Sequence, residues 1–337
     1  GVLDNGMRYA LLPNATPAGG LSLRLVVEVG SLDEDESERG YAHFVEHMAF
    51  RATVNFPEGQ LEPAFARHGV TVGRDQNAFT SPERTLYQLD LSGGGAEARA
   101  LALTWLGDVA RAVRFEPGAV ERERRVVQAE RTTRHDPDAD LVAALHAFQG
   151  PELRTVRRSP IGDPTVVQTA APAALQAFHA RWYRPEHTVL VIVGAIGDPA
   201  ELEREIAAAF GDWRGHGPAP ARPDLPGPDE ARGLDAMVRA DAKVSPGLSI
   251  CRLAAARPVE SATLHELILQ RVWMQILQNR LAKLDYAEPS ILSADVSSDL
   301  DAREASSTCV AASITGEAWR PAMKALSNRN ISVAGSS

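Results

Sequence analysis

Residues 40–50 read GYAHFVEHMAF, and the rest of the chain is best interpreted from this stretch. After Gly40 it contains neither proline nor glycine, so we expect an α-helix on which His43 and His47 lie one turn apart on one face. Two imidazoles at this spacing can both bind one Zn²⁺, at about 2.0–2.1 Å. Glu46 borders the same face and would reach a water molecule on such a metal. The stretch therefore predicts a helix that supplies two ligands of a metal site.

The order of these residues is H-x-x-E-H, the inverse of the H-E-x-x-H signature of zinc peptidases. An ordinary amphipathic helix with two surface or core histidines is the competing interpretation, because so short a motif also arises by chance. A catalytic zinc has three protein ligands and an open position for water. A third ligand from another element therefore decides between the two interpretations.

Two glutamates on a later helix could supply that ligand. We expect this helix to begin at Glu116-Pro117 and to run to about Arg134. Glu123 and Glu130 are seven residues apart, which is two turns, so they share a face. Glu123 also fits a surface ladder of Arg and Glu side chains, and the run of residues 121–125 reads as a solvated helix face.

The bulk composition narrows the class of protein. The chain has 337 residues, enough for two domains, with 44% apolar and 23% charged residues, as in globular proteins. A net charge of −9 argues against nucleic acid as a partner, and no apolar run is long enough to span a membrane. We expect no signal peptide within this sequence, and a start at Gly1 without Met is compatible with removal of an upstream segment. The spacing of Cys251 and Cys309 indicates neither a disulfide framework nor a thiolate metal site.

The periodicity of the sequence predicts strands mixed with amphipathic helices. Residues 21–29 and 188–194 give the strongest strand patterns, and the nearly continuous apolar run of the second favours an interior strand. Shorter strands are expected at residues 70–73, 77–80 and 85–91. A Pro- and Gly-rich linker at 215–230 separates a domain at 1–214 from a second α+β domain at 231–337. The second domain has about half the length of the first, so we expect it to be truncated.

The two helical motifs together resemble those of a known family. Gly40-Tyr41-Ala42-His43-Phe44-Val45-Glu46-His47, followed by Glu-x6-Glu from Glu123 to Glu130, is similar to the paired motifs of the pitrilysin–insulysin (insulinase-like) family of zinc metallopeptidases. The likeness extends over roughly residues 3–325 and is strongest to the bacterial secreted or periplasmic branch. It implies an α+β fold in which helices pack on a mixed, largely antiparallel sheet. That unit is repeated as two related domains, as in mitochondrial processing peptidase.

The resemblance also implies roles for the motif residues. His43, His47 and Glu130 are expected to bind one Zn²⁺ per chain, and Glu123 to support a ligand without touching the metal. Glu46 is expected to act as general base toward a metal-activated water in the hydrolysis of peptide bonds.

A third stretch matches the strand on which the family binds its substrate. Asn77, Ala78 and Phe79 are expected to pair with a peptide or unfolded protein by β-augmentation, and Phe79 could line an apolar pocket. Asn77 has a competing interpretation as a turn residue.

Three functions are compatible with an H-x-x-E-H motif in this chain. The first is an active zinc endopeptidase or oligopeptidase, located in the periplasm or secreted. The second is a non-catalytic or weakly active family partner that needs a second homologous half to close the chamber, although such partners usually lose motif residues and this chain keeps them. S-ribosylhomocysteine lyase also uses an H-x-x-E-H site, but it is much shorter and recruits a cysteine. Here Cys251 and Cys309 lie far from the motif in the chain.

Overall fold

The computed structural model describes residues 1–93, 95–133, 137–225, 227–229, 235–238, 245–256, 261–283, 288–298, 303–316 and 319–326. The chain forms two compact units. The first contains residues 1–134 and 158–223, and the second contains residues 135–157 and 224–337. The predicted limits of 1–214, 215–230 and 231–337 stay a prediction, and the compact units differ from them in assigning residues 135–157 to the second unit.

The first unit combines five strands with seven α-helices and three short 3-10 helices among its described residues. The strands are β1 (Arg8–Pro13), β2 (Leu21–Val27), β3 (Gln76–Thr80), β4 (Thr85–Leu91) and β5 (Thr188–Gly194). The α-helices are α1 (Tyr41–Arg51), α2 (Leu61–Ala66), α3 (Ala96–Arg111), α4 (Pro117–Thr133), α7 (Pro164–Thr169), α8 (Pro172–Trp182) and α9 (Pro199–Phe210). Between α4 and α7 in the chain, α5 (Pro137–Gln149) and α6 (Arg154–Arg157) belong to the second unit.

The five strands form one sheet in the order β1-β5-β2-β4-β3. Only β1 and β5 pair in parallel, and the other neighbours are antiparallel. The interior place of β5 agrees with its apolar sequence, and β3 lies at an edge. This mixed, largely antiparallel sheet with packed helices confirms the predicted α+β fold.

The core of the first unit lies between one face of the sheet and the helices. Alternate residues of β2 are fully buried, as a strand covered on one face requires. Helices α1, α3, α8 and α9 cover that face with large side chains, among them Phe44, Trp105, Phe178 and Phe210. This packing fixes α1 against α4, α8 and β3. No helix among the described residues has the length and apolar character that crossing a bilayer requires.

The second unit is a smaller α+β structure. Its described elements are α5 (Pro137–Gln149), α6 (Arg154–Arg157), β6 (Gly247–Ala255), α10 (Ser261–Leu281), β7 (Ile291–Ser298), β8 (Ala305–Ile314) and a final helix, Trp319–Leu326. The three strands are antiparallel in the order β6-β8-β7. Buried Glu304 accepts hydrogen bonds from the backbone N–H groups of Arg154 and Thr155, each at 2.7 Å. These bonds tie the segment before residue 158 to the second unit.

Three expectations from the sequence were wrong. Cys251 and Cys309 face each other across β6 and β8 and form a disulfide, because strand pairing brings together residues that are 58 apart in the chain. Residues 70–73 form no strand, and only Val72 makes an isolated bridge, to Gln76. Strand β2 ends at Val27 rather than at residue 29.

Candidate metal centre

Helices α1 and α4 bring three potential metal ligands together. His43 Nε2 and His47 Nε2 lie 3.2 Å apart. Glu130 Oε2 approaches His43 Nε2 to 3.4 Å and His47 Nε2 to 3.2 Å. The two histidines come from consecutive turns of α1, and the glutamate comes from the second turn after Glu123 on α4. The three atoms therefore form a nearly equilateral triangle.

The size of this triangle fits a zinc ion. Four ligands placed tetrahedrally at about 2.0–2.1 Å from Zn²⁺ are about 3.3–3.4 Å apart, which matches the three distances above. Two nitrogens and one carboxylate oxygen are also a donor set that catalytic zinc sites use. Among the described residues, His43, His47 and Glu130 are the only cluster of at least three His, Cys, Asp or Glu side chains that could hold a metal.

The other nitrogen of His47 is held by Glu123. Glu123 Oε1 lies 2.8 Å from His47 Nδ1, and Glu123 Oε2 accepts a hydrogen bond from Arg51 Nε. Glu123 is only 4% exposed, so the alternative of a surface ladder residue is wrong. Burial alone would raise the pKa of Glu123, but the hydrogen bonds from His47 and Arg51 outweigh it and lower that pKa. Burial disfavours a charged His47 ring, yet Glu123 and Glu130 overcome this and raise the pKa of His47 to about 9.

Glu46 lies beside the triangle without belonging to it. The residue is 7% exposed, and its Oε2 accepts a hydrogen bond of 2.8 Å from Thr80 Oγ1. Because Thr80 is the last residue of β3, the edge strand holds the carboxylate from the sheet side. A carboxylate fixed next to a metal triangle can take a proton from a water molecule held there.

The N-terminus of α1 is fixed by two close contacts. Buried Glu34 accepts hydrogen bonds of 2.9 Å from the backbone N–H groups of Gly40 and Ala42, which the helix itself leaves unpaired. Gly40 adopts φ +103° and packs against Gly162, where a Cβ would lie 2.2 Å from Gly40 Cα. The helix that carries His43 therefore starts at a defined position.

Arg124 fixes α4. Its guanidinium donates to the backbone carbonyls of Val167 and Ala170, and it lies over the ring of Phe44 with Cζ 5.6 Å from the centroid. Arg124 is 6% exposed, so the prediction of a solvated face for residues 121–125 was wrong for this residue and for Glu123. The charged run of residues 121–125 gave no sign that Glu123 and Arg124 are buried, because their burial depends on the elements packed against α4.

The predicted substrate residues all lie on β3. Asn77, Ala78 and Phe79 pair with Gln88, Tyr87 and Leu86 of β4. On its outer side β3 pairs with no strand among the described residues, but Gln76 forms an isolated bridge with Val72. Side chains alternate along the strand, so Phe79, which is 48% exposed, points away from the face on which Thr80 meets Glu46. Their role in binding stays a prediction.

Three residues of the site were not predicted from the sequence. Thr80, Arg51 and Glu34 each contact a motif residue or the backbone of α1. Arg51 follows His47 by four residues, so its place on the same helical face was a usable signal. The contacts of Thr80 and Glu34 depend on tertiary packing, and no spacing rule shows them.

Comparison with known proteins places these features in a family. The sequence model described as "Insulinase (Peptidase family M16)" matches residues 9–149, and the one described as "Peptidase M16 inactive domain" matches residues 170–308. The chain is 36% identical over 196 residues to the probable zinc protease PqqL of Haemophilus influenzae, covering 58% of this chain and 21% of that protein. For PqqL of Escherichia coli the identity is 36% over 202 residues, covering 60% and 22%.

Solved structures agree. The crystal structure of the periplasmic protease PqqL from Escherichia coli superimposes with a TM-score of 0.86 at 27% identity, covering 97% of this chain and 36% of that chain. The chain spans about a fifth of the length of the two curated relatives above. The paired helical motifs, the two matching sequence models and the shared fold lead to one conclusion: this chain belongs to the insulinase family of peptidases, family M16.

Proposed function

We propose that the chain is a zinc-dependent endopeptidase or oligopeptidase. One observation carries the proposal: ligand atoms of His43, His47 and Glu130 converge at the spacing of a tetrahedral zinc site, with the Glu46 carboxylate beside them. The two similar proteins are named probable zinc proteases, which supports the same chemistry.

Each side chain has a role on this proposal. His43, His47 and Glu130 hold the ion, which when bound makes water more acidic and polarises a carbonyl. Glu46 takes a proton from the attacking water on its carboxylate and delivers it to the nitrogen of the leaving amine. Thr80 orients that carboxylate through its hydroxyl, and Glu123 orients the ring of His47.

The proposed substrate is an extended peptide or an unfolded protein segment. Beyond the Val72–Gln76 bridge, the outer side of β3 would accept an added strand if the Ala78 N–H exchanges Asn77 Oδ1 for a peptide carbonyl, a mode that reads main chain rather than sequence. A peptide side chain that points to the same face as Phe79 would meet its exposed ring.

We further propose a periplasmic or secreted location and a second homologous half. The similar protein from Escherichia coli is described as periplasmic, and a Cys251–Cys309 disulfide is typical of oxidising compartments. This chain covers 36% of that relative's structure and 70% of the structure described as its first half. These two coverages support the proposal that a second homologous half is needed to close the substrate chamber.

The experiment compares Glu46→Gln with the wild type. Glutamine keeps the size of the side chain but cannot accept the proton, so we expect one zinc per chain in both proteins and no cleavage of an unfolded reporter peptide by the variant. Zinc is measured by elemental analysis after dialysis, and cleavage by the fluorescence of a quenched peptide. Exposed Glu62 on α2 provides the control, because Glu62→Gln changes the same charge and should retain wild-type cleavage.

The outcomes separate the alternatives. A wild type without zinc, or a Glu46→Gln variant that cleaves as fast as the wild type, contradicts the proposal. Zinc binding without cleavage by the wild type favours the partner subunit that needs a second half. Addition of the remaining half of a relative should then restore cleavage.

A further inference from the structure

Arg51 is the last residue of α1 and connects the end of that helix to α4. It follows His47 by one turn, so both side chains lie on the face that meets α4. Its Nε donates to Glu123 Oε2, while Glu123 Oε1 contacts His47 Nδ1 at 2.8 Å. The carboxylate of Glu123 thus lies between a guanidinium and an imidazole, with each oxygen assigned to a different partner.

This arrangement constrains the imidazole. Glu123 Oε1 accepts, so His47 Nδ1 donates. In the neutral ring that a metal would require, Nε2 then carries the lone pair and faces His43 and Glu130. The orientation of the His47 ring depends on the plane of the Glu123 carboxylate. That plane is fixed because one oxygen contacts His47 and the other contacts Arg51. If the contact with Arg51 is removed, Glu123 can rotate and release His47 Nδ1.

We propose that Arg51 is a positioning residue of the metal centre, which aims Glu123 at His47 so that His47 presents Nε2 to a zinc ion. This inference rests on the proposed zinc site and deepens it. Neither the H-x-x-E-H pattern nor the Glu-x6-Glu pattern includes Arg51. Arg51 is not one of the three clustered ligands and donates to Glu123, so its effect on His47 passes through Glu123.

The alternative is that the Arg51–Glu123 ion pair only stabilises the end of α1 and has no effect on the metal centre. Arg51 is a cation in the last turn of α1, where the helix dipole favours positive charge, so its loss could reduce stability alone. Glu123 is buried, so the loss of Arg51 would leave its carboxylate without one hydrogen-bond donor and would reduce stability in either role. Zinc affinity and the geometry of the ligand field separate the two roles, because a purely structural ion pair leaves both unchanged in the folded protein.

The test uses Arg51→Gln and Arg51→Lys in the full chain. Zinc affinity is measured by competition with a chelator, and ligand geometry by the visible absorption of the cobalt(II)-substituted protein. We expect Arg51→Gln to weaken zinc binding by about tenfold and to alter the cobalt spectrum. Loss of the direct outer partner of a ligating histidine costs about tenfold to a hundredfold, and Arg51 acts one contact further out. Arg51→Lys restores a cationic donor and should recover most of the affinity.

Arg122 supplies a matched control. It is the neighbour of Glu123 on α4 and pairs with Glu58 on the surface, with its side chain 54% exposed. Arg122→Gln removes an arginine–glutamate pair from the same helix and should bind zinc like the wild type. If Arg51→Gln does not fold, Arg51→Met and Arg51→Lys are compared in its place.

Two results overturn the inference, and they are distinguishable. Wild-type zinc affinity and an unchanged cobalt spectrum in the folded Arg51→Gln or Arg51→Met variant overturn it alone and leave the zinc site standing. A wild-type chain that binds no zinc overturns the proposed function and this inference with it.

Discussion

Both nitrogens of the His47 imidazole have contacts in the candidate metal centre. Nε2 faces His43 and Glu130, and Nδ1 faces Glu123. The contact at Nδ1 brings the buried carboxylate of Glu123 close to the triangle, although Glu123 does not belong to it. Without it, the ring could rotate about χ2 and lose the geometry that a metal needs.

Thr80 should affect the rate of cleavage without affecting the metal. Thr80→Val removes the hydroxyl that donates to Glu46 and keeps the shape of the side chain. We expect kcat to fall about tenfold, the value of one hydrogen bond to a charged group, with KM and zinc content close to wild type. Steady-state kinetics and elemental analysis measure this, and Thr80→Ser is the control that retains the hydroxyl. Equal kcat values for Thr80→Val and Thr80→Ser, with Glu46→Gln inactive, would contradict the role of this contact.

A second residue-scale prediction concerns acid stability. Burial, opposed by a hydrogen bond to the Val109 carbonyl, lowers the pKa of His179 from 6.5 to about 4. Between these values the unfolded chain binds a proton that the folded chain does not, so stability is present above pH 6.5 and is lost as the pH falls. From pH 7 to 5 this should remove about 2 kcal/mol of unfolding free energy.

The His179 contribution can be isolated by substitution. His179→Gln keeps an N–H donor but does not titrate, so its unfolding free energy should fall less over the same pH interval. Urea denaturation at both pH values, with a chelator present throughout, measures the difference. An identical pH dependence in both proteins would show that His179 is not the group responsible.

The residues that could be predicted from the sequence are those related by helical geometry. A separation of four residues places His43 and His47 together in any α-helix, and a separation of seven does the same for Glu123 and Glu130. The contact between Thr80 and Glu46 could not be predicted in this way, because it joins a strand to a helix through tertiary packing.

At the scale of elements, the position of α1 depends on a backbone contact. Gly162 has φ +75°, and a Cβ there would lie 2.4 Å from the Arg39 carbonyl oxygen as well as against Gly40. Gly162→Ala should therefore displace the start of α1, reduce the unfolding free energy by more than about 2 kcal/mol and weaken zinc binding.

Gly19 is the matched control for this change. It has nearly the same φ, +74°, but no heavy atom within 4 Å of an added Cβ. Gly19→Ala should show only the conformational cost of about 1 kcal/mol, with normal zinc affinity. Thermal unfolding and chelator competition on both variants measure the difference. Similar losses in the two proteins would mean that the contact with Gly40 does not fix α1.

Elements differed in how well the sequence predicted them. The run of residues 188–194 predicted an interior strand correctly, since apolar side chains on both faces suit few other environments. Residues 70–72 are also β-branched, but this segment is so short that it forms only one bridge, Val72 with Gln76. Pattern alone does not distinguish such a segment from a strand, because pairing requires a neighbour.

At the scale of the whole molecule, the candidate metal site and the disulfide lie in different units. The first holds the candidate metal triangle, and the second holds the Cys251–Cys309 disulfide, which closes a separation of 58 residues. Closing a loop of that length should stabilise the second unit by about 4 kcal/mol. A phosphine reductant should therefore lower the unfolding temperature of the second unit and leave zinc stoichiometry unchanged.

Thiol titration and calorimetry test this division. The unreduced, denatured protein should show no titratable thiol, because both cysteines are paired. A double variant, Cys251→Ser with Cys309→Ser, should unfold like the reduced wild type and be insensitive to reductant. Loss of zinc on reduction, or two thiols in the unreduced chain, would contradict the prediction.

The edge position of β3 has a consequence for substrate choice on the proposed function. A strand edge accepts only backbone that is already extended, so a folded protein must open locally before it can bind. Each 1.4 kcal/mol of opening free energy then lowers the cleavage rate about tenfold. Discrimination would follow the stability of the target rather than the identity of the residues at the cut, so damaged or nascent chains would be degraded before their native counterparts.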